Sequence, residues 1–143
     1  MMEVLYAVHL KDLDVSHATF AAPDLTTFAR LDDLGLVVVG QRVLPDRCEV
    51  ACRVVDDDRW CRECGCEGIP RDTVVRRLAH EPSGWRPVTL VVRVRRYRCS
   101  GCGRVWRQDT TGAAQPRSKL SRGGLRWARG GHRRPTPHRR PGR

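Results

Sequence analysis

Two pairs of cysteines with the same spacing constrain this chain more than any other feature of its sequence. Two residues separate Cys61 from Cys64, two separate Cys99 from Cys102, and a glycine follows each pair. Four thiolates form the tetrahedral set that a structural zinc ion takes, with Zn–S distances of about 2.3 Å. Each pair would form a tight turn, called a knuckle here. A glycine suits the position after the second cysteine of a knuckle, because the backbone there often needs a positive φ. The sequence therefore predicts one structural zinc ion, bound by all four cysteines.

The segment between the two pairs predicts how the chain brings them together. It has 34 residues, more than the 15–20 residues typical of short zinc sites. Residues 73–80 and 87–98 are rich in β-forming side chains, and the turn-forming stretch "EPSGW" separates them. An antiparallel hairpin that leaves one cysteine pair returns the chain to the other, which is the layout of a zinc ribbon. Apolar and basic residues alternate in the second arm, so we expect one face to pack and the other to be basic.

Other roles for the cysteines fit the sequence less well. The sequence predicts neither a signal peptide nor an apolar run long enough for a membrane helix, so we expect a cytoplasmic protein with no membrane partner. Seven cysteines in a reducing compartment disfavour a disulfide framework, and a redox centre would need a βαβ setting that neither pair has. Cys48 and Cys52 alternate with polar residues in a predicted strand and are expected in the core. Cys66 could exchange with Cys64 as a ligand but is interpreted as a bystander.

The predicted fold class is a small β-rich zinc ribbon (α+β), with a short mixed N-terminal segment and a disordered basic C-terminal tail. A short helix over residues 24–34, capped by Asp24 and ended by Gly35, and a later helix capped by Ser118 or Ser121 are predicted. The aspartates of residues 56–58 are interpreted as a solvated turn. The four predicted segments are an acidic N-terminal segment (1–34), the zinc-ribbon domain (35–108), a linker with the start of a helix (109–128) and an Arg/Pro-rich disordered tail (129–143).

Charge divides the chain near residue 70. Residues 1–70 contain 7 Lys and Arg against 13 Asp and Glu, a net charge of −6, whereas residues 71–143 contain 20 against 3, a net charge of +17. Nearly all of these cations are arginine, whose planar guanidinium matches phosphate oxygens and guanine edges. The second half of the chain is therefore expected to bind a polyanion such as nucleic acid.

The order of these motifs resembles a known family. "CRECG", a hairpin, "VTLVVRVRRYRCSGCGRVWRQDT" and "PRSKLSRGGLRWA" together resemble the N-terminal part of bacterial insertion-sequence transposases of the IS-L-three group, over about residues 35–128. The resemblance implies that the four cysteines bind zinc. It also implies that the ribbon and a following helix-turn-helix recognise the terminal inverted repeats of the element. In that family, a C-terminal RNase-H-like domain cuts DNA with three acidic residues and a divalent metal ion.

The chain departs from the family pattern at two places. Arg62 stands where the family has proline, and after Ala128 the family continues with apolar helices whereas this chain has an Arg/Pro/His/Gly tail. Only Asp109 is acidic after residue 81, so no catalytic triad can be assembled there. We therefore expect a truncated or frameshifted transposase that binds DNA and is not an enzyme as the chain stands.

Arginines near the second cysteine pair are the candidate nucleic-acid contacts, because a bound zinc ion would hold them in a fixed arrangement. They are Arg93, Arg95, Arg96, Arg98, Arg104 and Arg107. The alternative function is a free-standing zinc-ribbon protein that binds RNA or a protein partner such as a polymerase. A complete nuclease and a thiol oxidoreductase are disfavoured, the first by the scarcity of carboxylates and the second by the setting of the cysteines.

Overall fold

Five strands form one sheet in the computed structural model, which describes residues 20–130. The strands are β1 (Leu36–Val43), β2 (Cys48–Val54), β3 (Gly68–Ser83), β4 (Arg86–Cys99) and β5 (Val105–Arg107), in the order β1-β2-β4-β3 with β5 paired to β4. The helices are α1 (Leu25–Phe28), a 3-10 turn (Asp32–Leu34) and α2 (Arg122–Gly130). The predicted β-rich class is confirmed. Neither helix has the length and apolar character that crossing a bilayer requires. Predictions about residues 1–19 and 131–143 fall outside the described residues.

The β3–β4 hairpin is the longest element of the fold. Its strands pair antiparallel from Gly68 opposite Cys99 to Ser83 opposite Arg86, so it is longer than predicted. The loop has two residues, and Gly84 in its first position has φ +62°, as a type II′ turn requires. Pro70 and Pro82 lie in β3, next to its two irregularities. Because β3 is at the edge of the sheet, these prolines cost no hydrogen bonds of the ladder.

The first two strands pair antiparallel around a turn at residues 45–46, and β2 then runs parallel to β4. Cys52 lies opposite Val92 in this parallel pair. The sequence does not predict this neighbour, because the connection from β2 to β4 passes through both the first knuckle and the whole of β3. The sheet is therefore larger than a hairpin ribbon alone.

One face of the sheet carries the hydrophobic core. The predicted apolar faces of β2 and β4 are confirmed, and the fully buried Cys52 thiol has its pKa raised to about 11 by burial. Leu31 and Leu34 belong to the same core, so the boundary predicted at residue 35 does not separate two cores. The core residues are Leu31, Leu34, Leu36, Val50, Cys52, Val54, Leu78, Val88, Leu90, Val92, Val94, Ala113 and Ala114.

The helix predicted over residues 24–34 forms as two short pieces. Asp24 caps α1 as predicted, with its Oδ1 accepting from the amide of Thr26 at 3.0 Å. Arg30 has φ +55°, in the left-handed region, so the α-helix cannot continue through it. Gly35 ends the second piece with φ +69°, also as predicted.

Residues 110–120 pack on the sheet, which corrects their interpretation as a polar linker. Ala113 and Ala114 are buried in the core. The guanidinium of Arg76, on β3, donates to the hydroxyl of Thr110 at 2.9 Å and to the carbonyl oxygen of Gln115 at 2.6 Å. Two small apolar side chains and one arginine that satisfies nearby backbone oxygens therefore hold a segment that looks polar in sequence.

The helix α2 packs against β3 through two of its three glycines, Gly123 and Gly124. Ser121 is its N-cap, as predicted, because its hydroxyl accepts from the amide of Gly124 at 2.9 Å. An ideal Cβ on Gly123 would lie 2.4 Å from Cε1 of His80, and one on Gly124 would lie 2.5 Å from the carbonyl oxygen of Ala79. These glycines lower helix propensity, but they allow the helix to approach the strand closely.

Candidate metal centre

The sulfurs of the four predicted ligands lie together at the open end of the β3–β4 hairpin. All four Sγ atoms are within 4.8 Å of one another. The Sγ–Sγ distance is 3.7 Å between Cys61 and Cys102 and 3.2 Å between Cys64 and Cys99, and none of the four forms a disulfide. Tetrahedral zinc with Zn–S distances near 2.3 Å separates its sulfurs by about 3.8 Å. The cluster can therefore hold one metal ion such as zinc, as the cysteine spacing predicts.

The two knuckles share one backbone hydrogen-bond pattern. In each, the amide of the first cysteine donates to the carbonyl oxygen five residues later, at 2.9 Å and 2.7 Å. The amide of the following glycine donates to the carbonyl oxygen of that first cysteine, at 2.9 Å and 3.2 Å. Gly65 and Gly103 have φ of +76° and +75°, which confirms the reason for predicting glycine there. Two like turns thus present two sulfurs each to a common centre.

Backbone amides around the sulfurs favour the thiolate form that a metal ion requires. The amides of Gly101 and Cys102 lie 3.3 Å and 3.4 Å from Sγ of Cys99 and donate to it. The amide of Cys102 is the main cause of the lowered pKa of the Cys99 thiol, and the amide of Cys64 lowers the pKa of Cys61 in the same way. Each knuckle therefore prepares its first cysteine for a metal ion.

Cys66 lies beside the four-sulfur cluster and is not a member of it. Its backbone carbonyl accepts from the amide of Cys61, so its main chain belongs to the first knuckle. An ideal Cβ on Gly101 would lie 2.8 Å from Sγ of Cys66. The thiol therefore occupies the space above a glycine of the second knuckle, and a larger residue at position 101 would displace it.

An aromatic pair next to the metal centre covers the face of the sheet opposite the core. Tyr97 is buried and stacks on Trp106 with ring centroids 5.6 Å apart. The indole Nε1 of Trp106 donates to the carbonyl oxygen of Asp58 at 2.7 Å. Gly68 makes room for the indole, because an ideal Cβ there would lie 2.5 Å from Cη2 of Trp106. Both aromatic residues are therefore packing residues that support the second knuckle.

The acidic turn at residues 56–58 is solvated at Asp56 and Asp57, as predicted, and Asp58 gives it a structural role that the sequence does not predict. Asp58 has a largely covered side chain whose carboxylate accepts from the amide of Asp109 at 3.0 Å. The side-chain amide of Gln108 donates to the carbonyl oxygen of Asp56 at 2.8 Å. The turn therefore fastens the chain just after β5. The sequence gives no signal of this, because the partners are about fifty residues apart.

Ion pairs divide the six arginines predicted to contact nucleic acid into two groups. Three are paired with carboxylates: Arg95 with Asp57, Arg96 with Asp72, and Arg104 with Glu63. Among residues 20–130, no carboxylate lies within 4 Å of Arg93, Arg98 or Arg107. The paired arginines contact carboxylates on neighbouring strands and knuckles, and the Arg96 guanidinium also lowers the pKa of the Asp72 carboxyl. The unpaired three are the better candidates for an external anion.

No protein-family model matches this chain, and comparisons with curated proteins and with solved structures found no similar protein. The interpretation of the cluster as a metal centre therefore depends on the distances between the sulfurs and on the shared hydrogen-bond pattern of the two knuckles. The family resemblance of the sequence remains a prediction.

Proposed function

We propose that this chain is the zinc-binding, DNA-recognising portion of a transposase of the IS-L-three group, which binds the terminal inverted repeats of an insertion sequence. The observation that carries the proposal is that the arginine-rich end of β4 leads directly into the four-cysteine cluster. Cys99 ends that strand, and its sulfur lies within 4.8 Å of the two sulfurs of the other knuckle. A bound zinc ion would crosslink the two knuckles and so fix the adjacent guanidinium groups.

The helix after the sheet supports a role in DNA binding. Gly123 and Gly124 face β3, whereas Arg126 and Arg129 are exposed and lie one helical turn apart. Exposed cations on a helix that is docked to a rigid sheet suit contact with the phosphates of a DNA groove. The proposal therefore uses two elements of the chain, the second knuckle and α2.

The carboxylates of the described residues support a binding role over DNA cleavage. Metal-dependent cleavage needs carboxylates gathered around divalent ions. Within residues 20–130, the four cysteines are the one group of three or more possible metal ligands. Several carboxylates of this region are instead engaged by arginines, as at Asp57, Asp72 and Glu63. The proposal thus assigns this chain the recognition step.

The test is a selection experiment with the zinc-loaded full chain. A library of random DNA duplexes is enriched for binders, and the affinity of the selected duplex is measured by fluorescence anisotropy from about 50 to 200 mM salt. We expect a selected sequence, and an affinity that falls linearly with salt on logarithmic axes because phosphate contacts release counterions.

The matched control is the Cys99→Ser variant, which should lose both zinc and the preference for the selected sequence. Absence of DNA binding by zinc-loaded protein would overturn the proposal. Equal or tighter binding of an RNA library would favour the alternative of an RNA-binding zinc ribbon.

A further inference from the structure

A cleft of about 530 Å³ opens where the start of β3 meets the second knuckle. Arg71 and Arg98 line it from the two strands, and Ser100 and Gly103 line it from the knuckle. The guanidinium of Arg98 extends over the knuckle, with its Nη2 4.0 Å from the ideal Cβ position of Gly103. None of the lining residues is acidic. Two exposed cations therefore share one cleft without a carboxylate in its wall.

Arg71 reaches this cleft from an irregularity in β3. Pro70 lies opposite Tyr97 and Asp72 lies opposite Arg96, so Arg71 is an extra residue with no cross-strand partner. A bulge of this kind redirects a side chain away from the regular alternation of the strand. Asp72 is engaged by Arg96, and no described carboxylate lies within 4 Å of the Arg71 guanidinium. The fold thus places this cation in the cleft without a direct ion pair, although its charge also acts on Asp72 and helps to lower the pKa of that carboxyl.

The charge of the metal centre offers a competing explanation for these two arginines. A zinc ion bound by four thiolates has a net charge of −2, and nearby cations could serve only to offset it. At the first knuckle, however, Arg62 pairs with Asp58 and Arg104 pairs with Glu63. Arg62 and Arg104 are thus balanced by carboxylates at the first knuckle, whereas Arg71 and Arg98 at the cleft have no carboxylate partner among residues 20–130. Arg107, which lines a cavity with Cys61, is also unpaired within these residues. The two explanations differ in what removal of the cleft arginines does to zinc binding.

We infer that this cleft binds a backbone phosphate of nucleic acid between Arg71 and Arg98. Guanidinium groups donate paired hydrogen bonds to phosphate oxygens, and two of them across an open cleft suit a phosphodiester group. The inference rests on the proposed function and adds a contact, Arg71, that the sequence does not single out. It also places the bound duplex or single strand beside the second knuckle, on the side where β3 begins.

The test compares two double variants of the zinc-loaded full chain. R71Q/R98Q removes the cleft cations, whereas R30Q/R53Q removes two exposed arginines that do not line the cleft. DNA affinity is measured as a function of salt, and zinc content is measured in parallel. We expect the log–log salt slope of R71Q/R98Q to fall by about 0.9, the contribution of the one phosphate charge that the variant no longer neutralises. The slope of R30Q/R53Q and the zinc content of both variants should match the parent chain.

The outcomes separate the inference from the proposed function. Parent protein that binds DNA while R71Q/R98Q keeps the full slope overturns the phosphate cleft and leaves the proposed function standing. An equal loss in R30Q/R53Q overturns it as well, because the effect would then come from net charge. Loss of zinc by R71Q/R98Q shows that the arginines offset the charge of the metal centre. Parent protein that binds no DNA overturns both proposals.

Discussion

Ser121 Oγ lies 2.7 Å from Nδ1 of His80, and the same hydroxyl caps α2 by accepting from the amide of Gly124. One buried hydroxyl therefore both begins the helix and fastens it to β3. The other ring nitrogen of His80, Nε2, is buried and has no hydrogen-bond partner among residues 20–130. The protonation of one imidazole is thus linked to the docking of the helix.

We expect the stability of the chain to fall as the pH drops below about 6.5, the ordinary pKa of histidine. Burial is the main cause of the lowered pKa of His80; Arg126 lowers it further and Glu81 opposes the shift. Because the folded state binds this proton less readily than the unfolded chain does, the contribution is complete above that pH and is lost on acidification. The urea midpoint at pH 7.5, 6.5 and 5.5 measures it, and His80→Asn should remove most of this dependence.

Zinc content must be followed at each pH, since protonation of the cysteines also releases the metal. The comparison between parent and His80→Asn isolates the histidine, because both retain the same four ligands. An unchanged pH dependence in the variant would contradict the link.

Gly124→Ala should destabilise the chain by about 1–3 kcal/mol, the usual cost of overpacking. The new methyl group would lie 2.5 Å from the carbonyl oxygen of Ala79, which is backbone and cannot turn aside. Gly130→Ala is the matched control, because an ideal Cβ there has no atom of the described residues within 4 Å. Chemical denaturation of both variants checks this. Equal midpoints for the two would show that α2 is not packed as described.

Cys64→Ser should reduce zinc stoichiometry below one ion per chain, whereas Cys66→Ser should leave it at one. The first sulfur belongs to the four-membered cluster, and the second lies outside it although both are exposed and only two residues apart. Zinc analysis and the cobalt absorption spectrum of each variant measure this. Full zinc binding by Cys64→Ser, lost again in the Cys64→Ser/Cys66→Ser double variant, would show that Cys66 takes over as a ligand.

Removal of zinc by a chelator should unfold the knuckles before the core. The sequence predicts that residues 46–108 unfold together, and the structure narrows this expectation because Leu90 and Val92 pack in an aliphatic core away from the sulfurs. Hydrogen exchange should therefore accelerate at Cys61 and Cys99 first. Simultaneous loss of protection at Leu90 would restore the broader prediction.

Local patterns in the sequence predict much of this structure. The alternation of β2 and β4 identifies their buried faces, because side chains point to opposite faces with a period of two. The repeated cysteine spacing predicts which four sulfurs lie close enough together to hold one metal ion, since a knuckle is a local turn. The positions of Gly65 and Gly103 follow from the same local geometry.

Features that depend on distant pairing are not predicted. The parallel neighbour of β2 and the packing of residues 110–120 both depend on partners far away in the chain. The division of the arginines into paired and unpaired groups likewise depends on where Asp57, Asp72 and Glu63 lie in the fold. Arg71 escapes notice because a bulge, and not a sequence pattern, directs it into the cleft.

The hairpin is closed at both ends, by a two-residue turn at Gly84 and by the sulfur cluster at Cys64 and Cys99. A bound ion would make the intervening 34 residues a ring, whose closure restricts the unfolded chain by about 4 kcal/mol if it acts as a crosslink of that span. Such a restriction grows slowly, by about 0.6 kcal/mol for each doubling of length. Two residues added to each arm at the turn, beyond the part of β4 that pairs with β2, would preserve strand register and side-chain facing. The arms could therefore lengthen there while the sulfur cluster and the cations beside it stay intact.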